Sequence, residues 1–353
     1  MTRERPGERG FALIAAIWFV ALMAFVGIVI AGWMSRSVGL ATRLQDRLAS
    51  RIAIVDAENQ VEYRMVSGFF SPRGLEMPQG DELTAAMAPE AAFGYQFGAG
   101  TTYVALDNEQ YRLGMAVVRL QDDNGLYTLD FPNRLLLGSL LRRYGLDAND
   151  RDVLLDRLFD YMGKSVFQRL NGASAVDYAA AGRPPPRDGP LLTPWEALRV
   201  LSWDGYPALW QEPGALPDLT TIGTHVLLNP TTAPEAILAS LPGMDEDAAR
   251  RVLLYRRRFV IQNSVDFDQA AGTGVGVSPM SLVFFPADSI DVTISAPKTP
   301  LVYRMHLQLS PIAPAPIRIG YAVGLPEDSA SPSNSVTLAQ LPVFPDATLK
   351  PAQ

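Results

Sequence analysis

The sequence predicts an α+β protein in three parts: a long N-terminal helix that crosses a membrane and continues as a stem, an antiparallel sheet, and an all-α domain inserted into that sheet. Three observations predict it. The run Phe11–Ser35 contains no Asp, Glu, Lys, Arg or His. Residues 290–310 alternate apolar and polar side chains with a period of two. Between an early pair of strand patterns and these later ones lies a block, 132–262, whose apolar residues recur at helical spacing.

The N-terminal helix comes first. Arg9 and Arg36 bracket the uncharged run, and a helix of that length, at ~1.5 Å per residue, exceeds the ~30 Å of bilayer hydrocarbon. The apolar core is longer than a secretory signal peptide's, and the small residue that could mark a cut, Gly10, precedes it rather than follows it. Residues 36–67 have no proline and, after Gly39, no glycine, so the helix is expected to leave the bilayer as a stem ending at Gly68 and Pro72. Along it Leu40, Leu44, Leu48, Ile52 and Val55 form an apolar stripe, expected to pack on the protein's own sheet.

The expected sheet follows. Tyr111–Leu120 and Leu126–Asp130 read as strands joined by Asp122-Asp123-Asn124-Gly125, an Asn-Gly hairpin signal. A calcium loop is the rival reading of that stretch. It fails because the acids do not alternate and no Glu closes a twelve-residue loop. In the later strands Ile290, Val292 and Ile294 oppose Asp291, Thr293 and Ser295, while Arg304 and His306 fall on the polar side of Leu301–Leu309. His306 is therefore expected to be solvated. Ile317–Val323 supplies one more strand.

The inserted block contains helical patterns at Leu135–Tyr144 and Asp150–Tyr161, a proline-rich connector at 182–190, and a helix-hairpin-helix unit from Leu228. In that unit Thr232 with Glu235 reads as a capping box, Leu241-Pro-Gly-Met as a tight turn, and Asp245 as the cap of the second helix. DNA-binding hairpins of this kind offer backbone amides to a phosphate through a glycine at the position of Asp245, whose charge would repel it. Gly272, Gly274 and Gly276 read as linker glycines, not a dinucleotide loop.

Composition narrows the function. With 353 residues, 48% hydrophobic, the chain can fill one large or two modest cores. The absence of cysteine removes disulfides and thiolate chemistry, and two histidines, His225 and His306, leave little for imidazole catalysis. No Gly-x-Ser-x-Gly occurs, so no enzyme activity is expected. The net charge of −7 argues against nucleic acid as a partner, and with arginines on both sides of the apolar run the positive-inside rule does not orient the chain.

A charged leader ending in Arg9-Gly10, followed at once by Phe11 and an apolar helix, resembles the type IV prepilin family. Most of that family carries Glu at the fifth mature position, where this chain has Ala15. The exception is the habit of the large minor pseudopilin of type II secretion, general secretion pathway protein K. Six further blocks resemble that family in order: Gln121-Asp-Asp-Asn-Gly-Leu-Tyr-Thr-Leu-Asp, Arg142-Arg-Tyr-Gly-Leu-Asp, Asp160-Tyr-Met-Gly, Asn171-Gly-Ala, Trp195-Glu-Ala-Leu-Arg-Val-Leu and Asn229-Pro-Thr-Thr-Ala-Pro. The resemblance implies a pseudopilin α+β fold divided into a leader (1–10), a transmembrane helix (11–35), a stem (36–67), a first sheet segment (68–131), an inserted helical domain (132–262), a second sheet segment (263–325) and a flexible tail (326–353), with Leu341 to Phe344 able to dock.

It further implies cleavage by prepilin peptidase between Gly10 and Phe11, N-methylation of Phe11, a single pass through the inner membrane with the bulk in the periplasm, and a place at the tip of the pseudopilus. Implied partners are the other minor pseudopilins of the tip complex, the prepilin peptidase and the inner-membrane secretion machinery. No cofactor is expected. Calcium, which the family would suggest, finds only Asp160 and Asp177, because Gly163-Lys164-Ser165 and Ser174 stand where the family has acids. That Gly-Lys-Ser lacks the earlier glycine of a phosphate loop. The alternative is a membrane-anchored helix-hairpin-helix receptor for DNA uptake.

Overall fold

The structure, a computed structural model, describes residues 8–77, 102–163, 167–211, 214–299, 301–310, 315–326 and 342–344, with side chains from residue 13. The chain divides into two compact units, residues 1–52 and 53–353.

One helix, α1 (Glu8–Ser67), begins in the first unit. It is long and apolar enough to cross a membrane: an 18-residue window has mean hydropathy 2.9 and none of it is buried. The stripe expected to pack on the sheet does not: Leu40, Leu44, Leu48, Ile52 and Val55 are all exposed. In the second unit α1 buries Ile54, Ala57, Val61 and Met65, at steps of three and four, in one core with the sheet residues Val118, Leu120, Ile290, Val292 and Leu307. Two faces of the stem are apolar. The one with Ala57 and Val61, both fully buried, has side chains small enough to bring the backbone close to the sheet. Gly68 ends the helix as expected, its N–H donating to the carbonyl of Arg64.

After α1 come β1 (Phe69–Ser71), β2 (Gly74–Met77), β3 (Thr102–Val104), β4 (Asp107–Leu113), β5 (Ala116–Asp122) and β6 (Tyr127–Thr128). Then follow α2 (Arg134–Arg143), α3 (Ala148–Tyr161), α4 (Ala175–Ala180), β7 (Thr220–Thr221), α5 (Glu235–Leu238), α6 (Glu246–Arg256) and α7 (Ser264–Ala271), with short 3-10 turns between them. The chain returns to the sheet as β8 (Ser289–Ser295), β9 (Leu301–Leu309) and β10 (Ile317–Pro326). The principal sheet is antiparallel, in the order β10-β9-β8-β5-β4, and β1-β2-β3 form a second one. Strands on either side of the helical stretch thus share one sheet through the β5–β8 pairing. Helical structure continues past residue 262 to Ala271.

The expected hairpin at Asp122–Gly125 is not there. The hairpin is β4 with β5, turning at Gly114-Met115 inside what the pattern suggested was one strand. Asp123-Asn124-Gly125 forms a buried 3-10 turn, and β6 beyond it pairs in parallel with β7. Long-range bonds override the local preference. The Asp122 carboxylate accepts from Asn229 Nδ2 at 3.0 Å, Thr232 Oγ1 at 2.6 Å and the Ala287 amide at 2.8 Å, which fixes this corner against two later parts of the chain.

The helical elements have their own core, built from residues such as Leu140, Leu154, Leu158, Trp203, Ile237, Val252 and Phe267. The sheet is therefore covered on both faces, the apolar face by α1 and the polar one by the helical elements, through Trp195 against Tyr321. At the C-terminus Phe344 is fully buried, edge-on to Tyr111 at 6.0 Å, and Val343 bridges Arg112 in parallel. That part of the tail is docked rather than flexible. The rest of it, 327–341 and 345–353, lies outside the described residues, as do residues 78–101.

Candidate functional site

Gly10 and Phe11 lie at the N-terminal end of α1, which begins at Glu8. The junction thus opens directly into the apolar helix, with Ala15 on the same exposed segment.

Polar groups are buried between the sheet and the helices. Asp123, fully buried, accepts from His306 Nε2 at 2.7 Å and from the Ser289 hydroxyl. Arg304 reaches Asp291 at 2.7 Å, Asp218 at 2.6 Å and the carbonyl of Pro217 at 2.8 Å, with its guanidinium 5.0 Å from the centre of the Trp195 ring. The Tyr321 hydroxyl donates to Asp291 at 2.7 Å, and its ring stacks on His306. A bulge in β10 between Ile319 and Tyr321 creates that stack by shifting Tyr321 onto the His306 register. Gly320 is required at the bulge, since a Cβ there would come 2.4 Å from His306 Nδ1.

His306 is thus not solvated. Alternation assigned it to the polar face correctly, but that face is roofed by the helical elements, and burial forces its polar groups into pairs. Burial alone would lower the His306 pKa. The hydrogen bond and charge of Asp123 outweigh it and raise the value above the usual histidine range. Burial also pushes Asp122 up to about 6 against the hydrogen bonds from Thr232, Ala287 and Asn229. Sequence reading missed Asp291, Arg304 and Tyr321 as partners. The available signal was the inserted block itself, which needs a surface to sit on.

Ser289, His225 and Asp288 lie together, yet they do not form a nucleophilic triad. His225 Nε2 is 3.1 Å from the Ser289 hydroxyl and 3.4 Å from Asp288, so both neighbours meet one ring nitrogen, whereas a triad holds hydroxyl and carboxylate on opposite nitrogens.

In the helix-hairpin-helix unit, the turn at Leu241–Met244 and the Asp245 cap are as expected, the latter accepting from the Ala248 amide at 2.7 Å. The capping box is not formed. Pro234 occupies the cap position of α5, Thr232 is drawn away to Asp122, and Glu235 pairs with Arg250 at 3.0 Å. Gly274 and Gly276 are not linker glycines either, because their backbone lies on the hairpin turn. Gly276 N–H donates to the Pro242 carbonyl at 2.8 Å, and a Cβ on Gly243 would stand 3.1 Å from the Gly274 oxygen. Gly243 also has φ +81°, which only glycine holds without strain. The turn itself stays open to solvent, with Gly243, Asp245, Glu246 and Asp247 exposed. Of the nearby arginines, Arg250 pairs with Glu235 and Asp247, Arg251 donates to the Ala271 carbonyl, and Arg256 pairs with Asp107.

The two acids left for calcium have other duties. Asp160 accepts from the Arg169 amide at 3.1 Å, and Asp177 takes the amide and hydroxyl of Ser174 as the capping box of α4. Asp156, one turn before Asp160, is held by Arg134 at 2.6 Å. Calcium needs about six to eight oxygen ligands, and among the described residues no group of three or more His, Cys, Asp or Glu can hold a metal. Among the described residues, Asp160 and Asp177 are thus taken up in local hydrogen bonds and do not join other acids in a calcium site. Lys164 and Ser165 lie outside the described residues.

No family model matches the chain, and no curated protein matches its sequence. Among solved structures it is similar to a chain of the GspK-GspI-GspJ complex from the type 2 secretion system of enterotoxigenic Escherichia coli. The identity is 13% and the TM-score 0.42, over 62% of this chain and 83% of that one.

Proposed function

We propose that this chain is a minor pseudopilin of the type II secretion system, anchored by α1 in the inner membrane with its bulk in the periplasm, where it caps the tip of the pseudopilus and helps start its assembly. The observation that carries the reading is the continuity of α1. The Arg-Gly-Phe junction leads without a break into an exposed apolar helix of membrane-crossing length, whose far end lies in the core of an antiparallel sheet. One continuous helix thus supplies both an apolar segment of membrane-crossing length and part of the head's core, as a filament subunit drawn from a membrane requires.

In this reading prepilin peptidase removes residues 1–10, and Phe11 becomes the methylated N-terminus. A carboxylate at position 15 would help pair a subunit with the amino terminus of a neighbour. At the tip such a carboxylate would stay unpaired in hydrocarbon, at a cost of several kcal/mol, which Ala15 avoids. The helical block widens the head, so that no further subunit stacks above it. Partners are the other minor pseudopilins of the tip complex, the prepilin peptidase and the inner-membrane secretion machinery. The role is structural, with no metal in it and no nucleic acid, since Asp245 and the exposed Glu246 and Asp247 set negative charge at the hairpin turn where a phosphate would sit. Mass spectrometry of the mature chain from membranes with an active prepilin peptidase tests the reading. A chain beginning at methylated Phe11 is expected, and one beginning at Met1 would overturn it.

A further inference from the structure

A second concave surface lies where the start of β4 meets the end of α6, away from the buried polar layer. It is a groove of about 670 Å³ whose lining includes Arg73, Tyr103, Glu109, Arg257, Arg258 and Phe259. That volume falls in the range of ~300–1,000 Å³ typical of ligand sites. Arg73 is in the turn between β1 and β2, Tyr103 is in β3, and Arg257, Arg258 and Phe259 follow directly on α6.

The electrostatics are unusual for this chain. Arg256 sits at the base of the groove, where it donates to Asp107 at 2.9 Å and to the Ala233 carbonyl at 2.7 Å, so these two charges cancel and fix the wall. Arg73, Arg257 and Arg258 have no carboxylate partner among the described residues and are exposed. Among the described residues of the lining, Asp107 is paired with Arg256 and Glu109 is the one further carboxylate that opposes them. Three uncommitted guanidinium groups therefore converge on one hollow in a protein whose net charge is −7. Two exposed aromatic rings flank them, Tyr103 at 42% and Phe259 at 57%.

The geometry points to an occupant that is anionic at several places, partly apolar, and longer than one headgroup. We propose that this groove binds an acidic, extended segment of a partner protein, with its carboxylates on Arg73, Arg257 and Arg258 and an apolar side chain against Phe259 and Tyr103. Guanidinium groups pair with carboxylates through two parallel hydrogen bonds, which selects such a segment over a neutral one. A duplex is disfavoured, because Glu109 and the negative net charge repel a continuous phosphate backbone. The proposal needs no secretion role.

Two experiments test it in the full chain. In the first, a photoreactive phenylalanine at position 259 is irradiated in native membranes and the product mapped by peptide mass spectrometry. Expected is a cross-link to a segment of a different protein rich in Asp and Glu. It should be lost in Arg257→Glu/Arg258→Glu and regained when that segment's acids are changed to Lys. Both arginines are exposed and their side chains hold no bond among the described residues, so the double variant should keep its melting temperature. Cross-links within the chain, to a second copy or to lipid, or a yield indifferent to the charge reversal, overturn the proposal. In the second, a fluorescent ten-residue peptide with four Asp or Glu around one Phe is titrated against the purified protein. Its affinity should fall about tenfold or more in the double variant and weaken with salt, and a Gln-for-Glu peptide should not bind. Equal binding of the two peptides, or displacement by equimolar duplex DNA or inorganic phosphate, overturns it.

Discussion

His306 Nε2 stands 2.7 Å from Asp123 Oδ2, and the carboxylate has no exposed surface. One partner is from β9 and the other from the turn after β5, so the pair ties the centre of the sheet to the corner from which the helical elements depart. Removing one member leaves the other buried without a counter-charge. His306→Leu should therefore destabilise the protein by about 3–5 kcal/mol in denaturant unfolding, while the double change with Asp123→Leu should recover much of the loss. Equal losses in both variants would show that the pair itself, rather than the orphaned charge, was holding the layer.

Stability should also fall as pH rises from about 5 to 8. His306 has a raised folded pKa, so its contribution is complete below the unfolded value and is lost as pH climbs through the folded one. Asp122, raised to about 6, adds to the same trend, because the folded state holds its proton while the unfolded state has already released it. Melting temperatures across that window should show the decline, and His306→Gln should flatten its upper part.

Gly320→Ala should disturb the same layer without touching a charge. The new methyl meets His306 Nδ1 at 2.4 Å, and the ring, pinned by Asp123 and Tyr321, must move or the bulge must open. A loss of about 1–3 kcal/mol is expected, and the pH dependence assigned to His306 should shrink with it. A variant as stable and as pH-dependent as the parent would mean that the bulge is softer than its packing suggests.

Phe344 lies in the sheet core, with the Arg64 guanidinium 4.6 Å from its ring centre. Truncation before Pro342, or Phe344→Ala, should cost about 3–5 kcal/mol, with Val343→Ala, at an exposed position, as the neutral control. Proteolysis that trims the C-terminus should stop short of this residue.

Processing gives a prediction at the other end. Gly10→Val should accumulate the precursor in membranes with an active prepilin peptidase, read as a mass larger by the leader. If the chain takes the proposed tip position, Ala15→Glu should give no gain in assembly or secretion, because no neighbour would pair with the added carboxylate.

By itself the sequence determined the elements whose signals are local. A charge-free run of membrane-crossing length, a helix without breakers from Gly39 to Gly68, a cap such as Asp245 and the period-two strands at 290–310 follow from chain geometry and nearest-neighbour chemistry, and so they were legible. Which apolar face of α1 packs, whether Asp122–Gly125 turns or anchors, where Thr232 sends its hydroxyl and whether His306 meets water were decided only by tertiary structure. Each depends on residues about a hundred or more positions away, or on which face of the sheet a later segment covers. Local preferences worth about 1 kcal/mol or less yield when the alternative leaves a carboxylate or an imidazole buried without a partner. Alternation along β9 fixed the side on which His306 stands, and only the helical elements packed over that side made it an interior one.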